Sequence, residues 1–168
     1  MYLWGIEAIL ILFCYTSSMN PLIKKTTDSQ KALEIARKLP DYFDEGGLKQ
    51  IEKDSKENML FGAYLEDEMI GFACYKEVNQ DVIEMLWLGV LPDKQGNGVG
   101  EKLVRECLES FSGKYKVCKV KTLSEDDPYE PYKKTRAFYR RLGFIPVETI
   151  KPYPGWGDNT CQIFIKNI

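Results

Sequence analysis

The stretch VLPDKQGNGVGEKL, residues 90–103, leads from an apolar segment into one with helical periodicity. Glycines at positions 96, 98 and 100 allow the backbone to approach a ligand closely, because glycine carries no Cβ. A helix start adds free N–H groups and the positive end of the helix dipole, which together favour an anion. The stretch therefore predicts a strand, a phosphate-binding turn and a helix. A turn whose glycines serve packing alone is the alternative.

Two widespread phosphate-binding loops do not fit this stretch. A P-loop has Lys and then Ser or Thr directly after its last glycine, whereas Glu101 follows Gly100 here. The dinucleotide-binding loop needs Gly or Ala at the position that Glu101 occupies. Both of these loop types are therefore excluded for residues 90–103.

A second motif, FYRRLGF at residues 138–144, lies downstream of QGNGVG at residues 95–100. Together they resemble the GNAT superfamily of N-acetyltransferases, in its (Arg/Gln)-x-x-Gly-x-(Gly/Ala) loop and its F-Y-x-x-x-G-F signature. The resemblance covers about residues 20–168. It implies the GNAT acyl-CoA N-acyltransferase fold, with acetyl-CoA as cosubstrate. It also implies that the loop amides bind the pyrophosphate, namely those of Gln95, Gly96, Asn97, Gly98, Val99 and Gly100.

The resemblance assigns further roles. Tyr139 corresponds to the tyrosine that faces the cofactor sulfur, and it is the expected acid for the departing CoA thiolate. Backbone groups of Leu88 and Val90 are expected to orient the pantetheine and the thioester carbonyl. Tyr132 stands where the family often has Asn, and Thr135 where it often has Ala. These two positions are also expected at the cofactor.

Glu84 is the candidate base that takes the proton of the attacking amine. It lies within the apolar run of residues 82–90, where a carboxylate is costly unless it is paired or reaches a polar cleft. It also precedes Val90 by six residues, which matches the base of several relatives. An outward-facing residue in a salt bridge is the alternative, and both remain open.

The expected reaction is direct acetyl transfer to a primary amine of a small molecule or peptide in a ternary complex. No cysteine lies in a nucleophile motif, which argues against a covalent enzyme. A non-catalytic acyl-CoA-binding or sensor module on the same fold is the alternative. Trp87, Tyr64, Tyr42 and Phe43 are candidates for shaping the acceptor side.

Composition narrows the remaining functions. A net charge of −2 gives no electrostatic footprint for nucleic acid. The chain has no His and five Cys, none at C-x-x-C spacing, so we expect no metal site and no disulfide framework. We expect a cytoplasmic protein, and a homodimer is compatible with the sequence. Lysines 114, 116, 119 and 121 indicate either a basic patch or a partly solvated face.

Residues 1–18, MYLWGIEAILILFCYTSS, form an apolar extension before the expected domain at residues 19–168. Its apolar run is shorter than the roughly 20 residues that span a bilayer, and no basic residue precedes Lys24 as a signal peptide would require. A start upstream of a native Met19, a short packed helix and a weak membrane anchor all remain open.

Periodicity predicts a mixed α/β protein with a mostly antiparallel sheet and helices on both faces. We expect the strands at residues 20–27, 58–65, 69–78, 81–90, 115–123, 144–150 and 160–166. We expect the helices at residues 28–39, 42–53, 99–111 and 133–142, the second broken by Gly46 and Gly47.

Overall fold

The computed structural model describes residues 19–127 and 129–168, so the expectations for residues 1–18 lie outside it. One sheet of seven strands, with mostly antiparallel neighbours, organises the described part. The strands are β1 (Leu22–Thr26), β2 (Met59–Leu65), β3 (Glu68–Asn79), β4 (Val82–Val90), β5 (Val117–Leu123), β6 (Ile145–Ile150) and β7 (Cys161–Asn167). The helices are α1 (Ser29–Arg37), α2 (Glu45–Glu57), α3 (Val99–Phe111) and α4 (Pro131–Arg141), with a short 3-10 turn at Pro92–Lys94. The predicted fold class is confirmed.

The strand order is β1-β2-β3-β4-β5-β7-β6. All neighbouring strands run antiparallel except β4 and β5, which are parallel and connected through α3. The chain therefore enters α3 from the carboxyl end of a central strand, where ligands bind in open α/β sheets.

Helices cover both faces of the sheet. The Cys74 thiol contacts the Asp54 carbonyl oxygen of α2, whereas the adjacent Tyr75 ring packs on Phe111 of α3. Neighbouring strand residues point to opposite faces, so α2 and α3 lie on opposite sides. Tyr139 of α4 contacts Phe164 of β7, and Phe138 lies beside Gly100 at the start of α3. Helices α3 and α4 are thus neighbours on one face.

The predicted break in the second helix is wrong. The Asp44 side chain accepts the N–H of Gly47 at 2.7 Å and caps a helix that begins at Glu45. Gly46 and Gly47 therefore lie in its first turn, where an N-cap carboxylate satisfies a free N–H. Tyr42 and Phe43, which we expected in this helix, precede it.

Candidate active site

Strands β4 and β5 diverge near the middle of the sheet. Their parallel pairing joins residues 82–85 to residues 117–120, yet β4 continues to Val90 and β5 to Leu123. The register between β4 and β3 skips Leu86, a bulge at the point of divergence. A gap therefore opens between the two strands, beside the loop that leads into α3.

The backbone of β4 faces this gap. The N–H of Leu91 donates to the Ile70 carbonyl oxygen on β3 at 2.9 Å. Alternate residues of an antiparallel strand bond to the same neighbour, so Leu88 and Val90 turn their N–H and C=O groups towards the side that β5 has left. The Val90 carbonyl oxygen is bound there by Nε2 of Gln95 at 2.9 Å. Both N–H groups and the Leu88 carbonyl are directed at the gap.

The loop at the start of α3 has the geometry of an anion site. Gly96 and Gly98 adopt φ values of 77° and 79°, a left-handed conformation that favours glycine. A Cβ at either position would meet nothing within 4 Å, so the space before the loop is open. In the described part of the chain, no backbone N–H of residues 98–101 donates a hydrogen bond, and Gly98 provides no side-chain cap.

The side chains of the loop brace it. Asn97 Nδ2 donates to the Gln95 carbonyl oxygen at 3.1 Å, and Gln95 is held on Val90. Glu101 in the first turn of α3 forms ion pairs with Arg105 at 2.9 Å and with Arg141 at 3.8 Å. What the loop offers a ligand is therefore its backbone, including the N–H groups of Val99 and Gly100. This set of donors fits a pyrophosphate.

Tyr139 is buried on the inner face of α4, with 7% of its surface exposed. Its ring contacts Phe138, Phe144 and Phe164, with centroids 5.5, 5.8 and 6.1 Å away. Burial raises the pKa of Tyr139 well above its ordinary value of 10.0. The phenol therefore keeps its proton at neutral pH, as a general acid must.

Tyr132, whose expected place at the cofactor stays a prediction, packs against Tyr42. Its hydroxyl donates to the Tyr42 carbonyl oxygen at 3.0 Å, and the two rings meet edge to face. Burial raises the pKa of Tyr132 to about 12. This hydroxyl ties the start of α4 to the segment between α1 and α2. Thr135 is half-buried in the second turn of α4.

Glu84 lies on the face of the sheet opposite to Tyr139, and 6% of its surface is exposed. It pairs in register with Lys76, two residues from Cys74, so it shares the face of α2. Its carboxylate lies 2.9 Å from Lys119 Nζ and 2.8 Å from Lys121 Nζ. Glu84 therefore forms salt bridges, which the sequence left open as the alternative to a base. The sequence did not identify these partners, because they depend on the register of β4 with β5.

The four lysines of the β5 region separate into two kinds. Lys114 and Lys116 form exposed pairs with Glu77 and Asp81, which is the solvated face that we considered. Lys119 and Lys121 are largely covered and bind Glu84.

Aromatic side chains gather on the α2 side of the gap. Phe43 packs edge to face on Trp87 at 5.9 Å and lies 6.5 Å from Tyr42. The indole N–H of Trp87 donates to Asp54 at 2.7 Å. Tyr64 is not part of this group, since its hydroxyl contacts Thr26 on β1.

None of the cysteines that the structure describes has an activated thiol. All four are buried and unpaired. Burial raises the pKa of Cys74, Cys107 and Cys118 to about 12 and that of Cys161 to about 11. A thiolate nucleophile is therefore disfavoured at these positions.

Two further classes of site receive no support within residues 19–127 and 129–168. No group of three His, Cys, Asp or Glu side chains there is arranged to hold a metal ion. None of the helices described is long and apolar enough to cross a membrane.

One family profile matches the sequence, and several solved structures share the fold. The profile of the acetyltransferase (GNAT) domain matches residues 56–146. A GNAT-family protein from Desulfovibrio desulfuricans superposes with a TM-score of 0.76 at 19% identity, over 88% of this chain and 99% of the other. No curated protein is similar to this chain in sequence.

Two further solved structures share this fold. A GNAT family acetyltransferase from Elizabethkingia anophelis with acetyl-CoA bound gives a TM-score of 0.68 at 16% identity, covering 89% and 99% of the two chains. The ribosomal-protein-S18-alanine N-acetyltransferase from Escherichia coli gives 0.70 at 19% identity, covering 89% and 94%.

Proposed function

The chain belongs to the GNAT family of acetyltransferases, and we propose that it transfers the acetyl group of acetyl-CoA to a primary amine of a small molecule or peptide. Acetyl-CoA is the cosubstrate of this family. One observation carries the proposal. The gap between β4 and β5, lined by the backbone of Leu88 and Val90, opens beside the free N–H groups at the start of α3.

The residues that would hold acetyl-CoA belong to three elements: the loop before α3, strand β4 and helix α4. Backbone N–H groups of the loop at residues 95–100 would bind the pyrophosphate, because they combine free donors with the helix dipole. Backbone groups of Leu88 and Val90 would bind the amides of the pantetheine arm. The N–H of Leu88 would also polarise the thioester carbonyl. Tyr132 and Thr135 would line the α4 side of the gap.

Tyr139 would act as the general acid. The bound cosubstrate supplies an acetyl thioester, and transfer needs a proton for the departing sulfur. The Tyr139 hydroxyl is protonated at neutral pH, since its ordinary pKa is already 10.0 and burial shifts it upward, and its ring is fixed by Phe144 and Phe164. A fixed, protonated donor is the arrangement that general acid catalysis requires.

Glu84 would accept the proton of the amine. Among the residues that the structure describes, it is the one carboxylate that is buried, and it lies next to Met85, the last residue of β4 paired with β5. Its two lysines hold the carboxylate on the α2 face of the sheet, which would be the acceptor side. The high thiol pKa values argue against an acetyl-cysteine intermediate, so the amine would attack the thioester directly in a ternary complex.

A non-catalytic acyl-CoA sensor is the second candidate. One observation favours it: both oxygens of Glu84 are engaged by lysines, which weakens a base.

We place the protein in the cytoplasm, where unpaired thiols such as the four described here persist.

The experiment is acetyl transfer to a panel of polyamines, aminoglycosides, amino acids and peptides. Amine-dependent thiol release together with an N-acetylated product supports the enzyme. Binding of acetyl-CoA without any such product supports the sensor.

A further inference from the structure

Lys119 and Lys121 form a pair of ammonium groups on the face of the sheet that α2 covers, where the proposed base Glu84 lies. They alternate along β5, so both side chains point to the face of α1 and α2. Each contacts a different oxygen of Glu84. Their side chains are 26% and 24% exposed, whereas that of Glu84 is 7% exposed. A solute that approaches this face therefore reaches the ammonium groups before it reaches the carboxylate.

The charge of this cluster is not balanced. Two lysines and one glutamate leave one positive charge, and Lys76, the register partner of Glu84, adds another on the same face. The nearby Asp54 carboxylate subtracts one charge, since the Trp87 and Gln50 side chains that donate to it are neutral, so one positive charge remains. Glu148 shares the face by register but is exposed and lies two strands from Lys121. The surplus charge therefore favours an anion from solution.

Lys121 is held in place from the other side. Its Nζ donates to the Tyr153 hydroxyl at 3.0 Å and lies 5.2 Å from the centre of the same ring. Tyr153 in turn packs on Trp156 at 4.9 Å. Burial lowers the pKa of Lys121, but hydrogen bonds to Glu84 and Tyr153 outweigh it and the net shift is upward. The ammonium group is therefore charged and oriented.

Donors remain for a further ligand. An ammonium group has three N–H donors. Lys121 donates one to the Tyr153 hydroxyl, and we count one further donor of each lysine for its ion pair with Glu84. Among the described contacts, three N–H donors are therefore left over. They border the gap, because Val120 is the last β5 residue paired with β4 and Lys121 follows it.

We propose that the acceptor is an amino acid or another amine with a carboxylate close to its reactive nitrogen, and that Lys119 and Lys121 bind this carboxylate. The inference rests on the acetyl transfer proposed above. One carbon separates amine and carboxylate in an α-amino acid, so the amine lies between the Glu84 carboxylate and the thioester while the carboxylate lies on the lysines. A polyamine would meet only the surplus positive charge there.

The test compares α-amino acids with their own carboxamides as acceptors, using the full chain and acetyl-CoA. Hydrogen bonds to a charged group contribute enough to change binding by about 10- to 100-fold. We expect kcat/KM for the acid to exceed that for the amide by at least about 10-fold, mainly through KM. Lys119→Met and Lys121→Met should each bring this ratio towards one. Lys121→Arg should retain much of it.

Lys116→Met is the matched control, since Lys116 precedes the same strand but its side chain is 77% exposed and pairs with Asp81. It should leave the ratio unchanged. If the methionine variants do not fold, two other measurements address the same interaction. One is the acid-to-amide ratio of Tyr153→Phe, which removes the hydroxyl that orients Lys121. The other is inhibition of the unaltered protein by simple carboxylates that compete with the amine acceptor. A ratio near one, or an equal ratio in folded lysine variants, overturns this inference while acetyl transfer stands. Absence of transfer to every acceptor, with acetyl-CoA still bound, overturns the proposed function and this inference with it.

Discussion

Replacement of Gly98 by valine tests the anion site at the start of α3. Gly98 has φ of 79° and precedes the first residue of the helix. A Cβ at this position would meet no protein atom within 4 Å, so the added Cβ causes no clash within the protein. The expected damage is of two separate kinds, one to the backbone and one to the ligand.

The two effects have different magnitudes. An L-residue in the left-handed conformation costs roughly 1–2 kcal/mol, and a β-branched one is especially unfavourable there. This loss should appear in the free energy of unfolding. The valine side chain would also occupy the space before the free N–H groups. Overpacking of this kind costs about 1–3 kcal/mol, which corresponds to about a 10- to 100-fold loss of acetyl-CoA affinity.

Gly113 is a control matched in its backbone. Its φ is 82°, and a Cβ there would also meet nothing within 4 Å. It lies beyond the other end of α3, roughly 20 Å away at the rise of a helix. Gly113→Val should lose similar stability but bind acetyl-CoA normally in calorimetric titration. A folded Gly98→Val variant with undiminished affinity would show that the pyrophosphate binds elsewhere.

Four other predictions concern catalysis, pH and the first residues of the chain. Tyr139→Phe should lower kcat by roughly 10²–10⁴-fold with little change in acetyl-CoA affinity; full turnover at every pH would refute the acid role. Glu84→Gln should lower the rate mainly at acidic pH and recover in part at alkaline pH, where the amine is already neutral; a uniform loss across the pH–rate profile would mean that Glu84 is not the base. Because the pKa values of buried Tyr139 and Tyr75 lie above 10.0, the unfolded chain releases these protons first. Stability from these groups is therefore complete below about pH 10 and decreases above it, so the Tm should fall there and fall less steeply in Tyr139→Phe. A chain that starts at Met19 should bind acetyl-CoA with equal affinity, and a weaker affinity would place residues 1–18 at the site.

Local signals in the sequence were sufficient for the fold class. Alternation, turn residues and the glycine loop predicted every strand and helix within a few residues of its observed ends. The errors arose from capping. The second helix begins at Glu45 after the Asp44 N-cap rather than at Tyr42. Helix α4 begins at Pro131 rather than Lys133, because proline suits the first helical position.

Side-chain partners were less predictable because they depend on tertiary register. The sequence allowed Glu84 to be either a base or a salt-bridge residue, but not the naming of Lys119 and Lys121, which β5 places opposite it. The hydrogen bond from Tyr132 to the Tyr42 carbonyl oxygen joins α4 to the segment before α2. Nothing in the sequence near Tyr132 indicates this contact.

The same limit applies to Arg136. It is buried, and its Nη1 donates to the carbonyl oxygens of Leu123 and Ser124. The sequence did not predict the burial of Arg136, because the other basic residues of α4 lie at the surface.

Mass spectrometry of amine acceptors incubated with the protein and acetyl-CoA, with the released thiol measured in the same reaction, tests whether the protein is an N-acetyltransferase. We expect an acceptor that gains one acetyl group on nitrogen, in equal amount to the thiol released, and a much slower reaction with Tyr139→Phe. Tight binding of acetyl-CoA with no acetylated amine across the whole panel would contradict it.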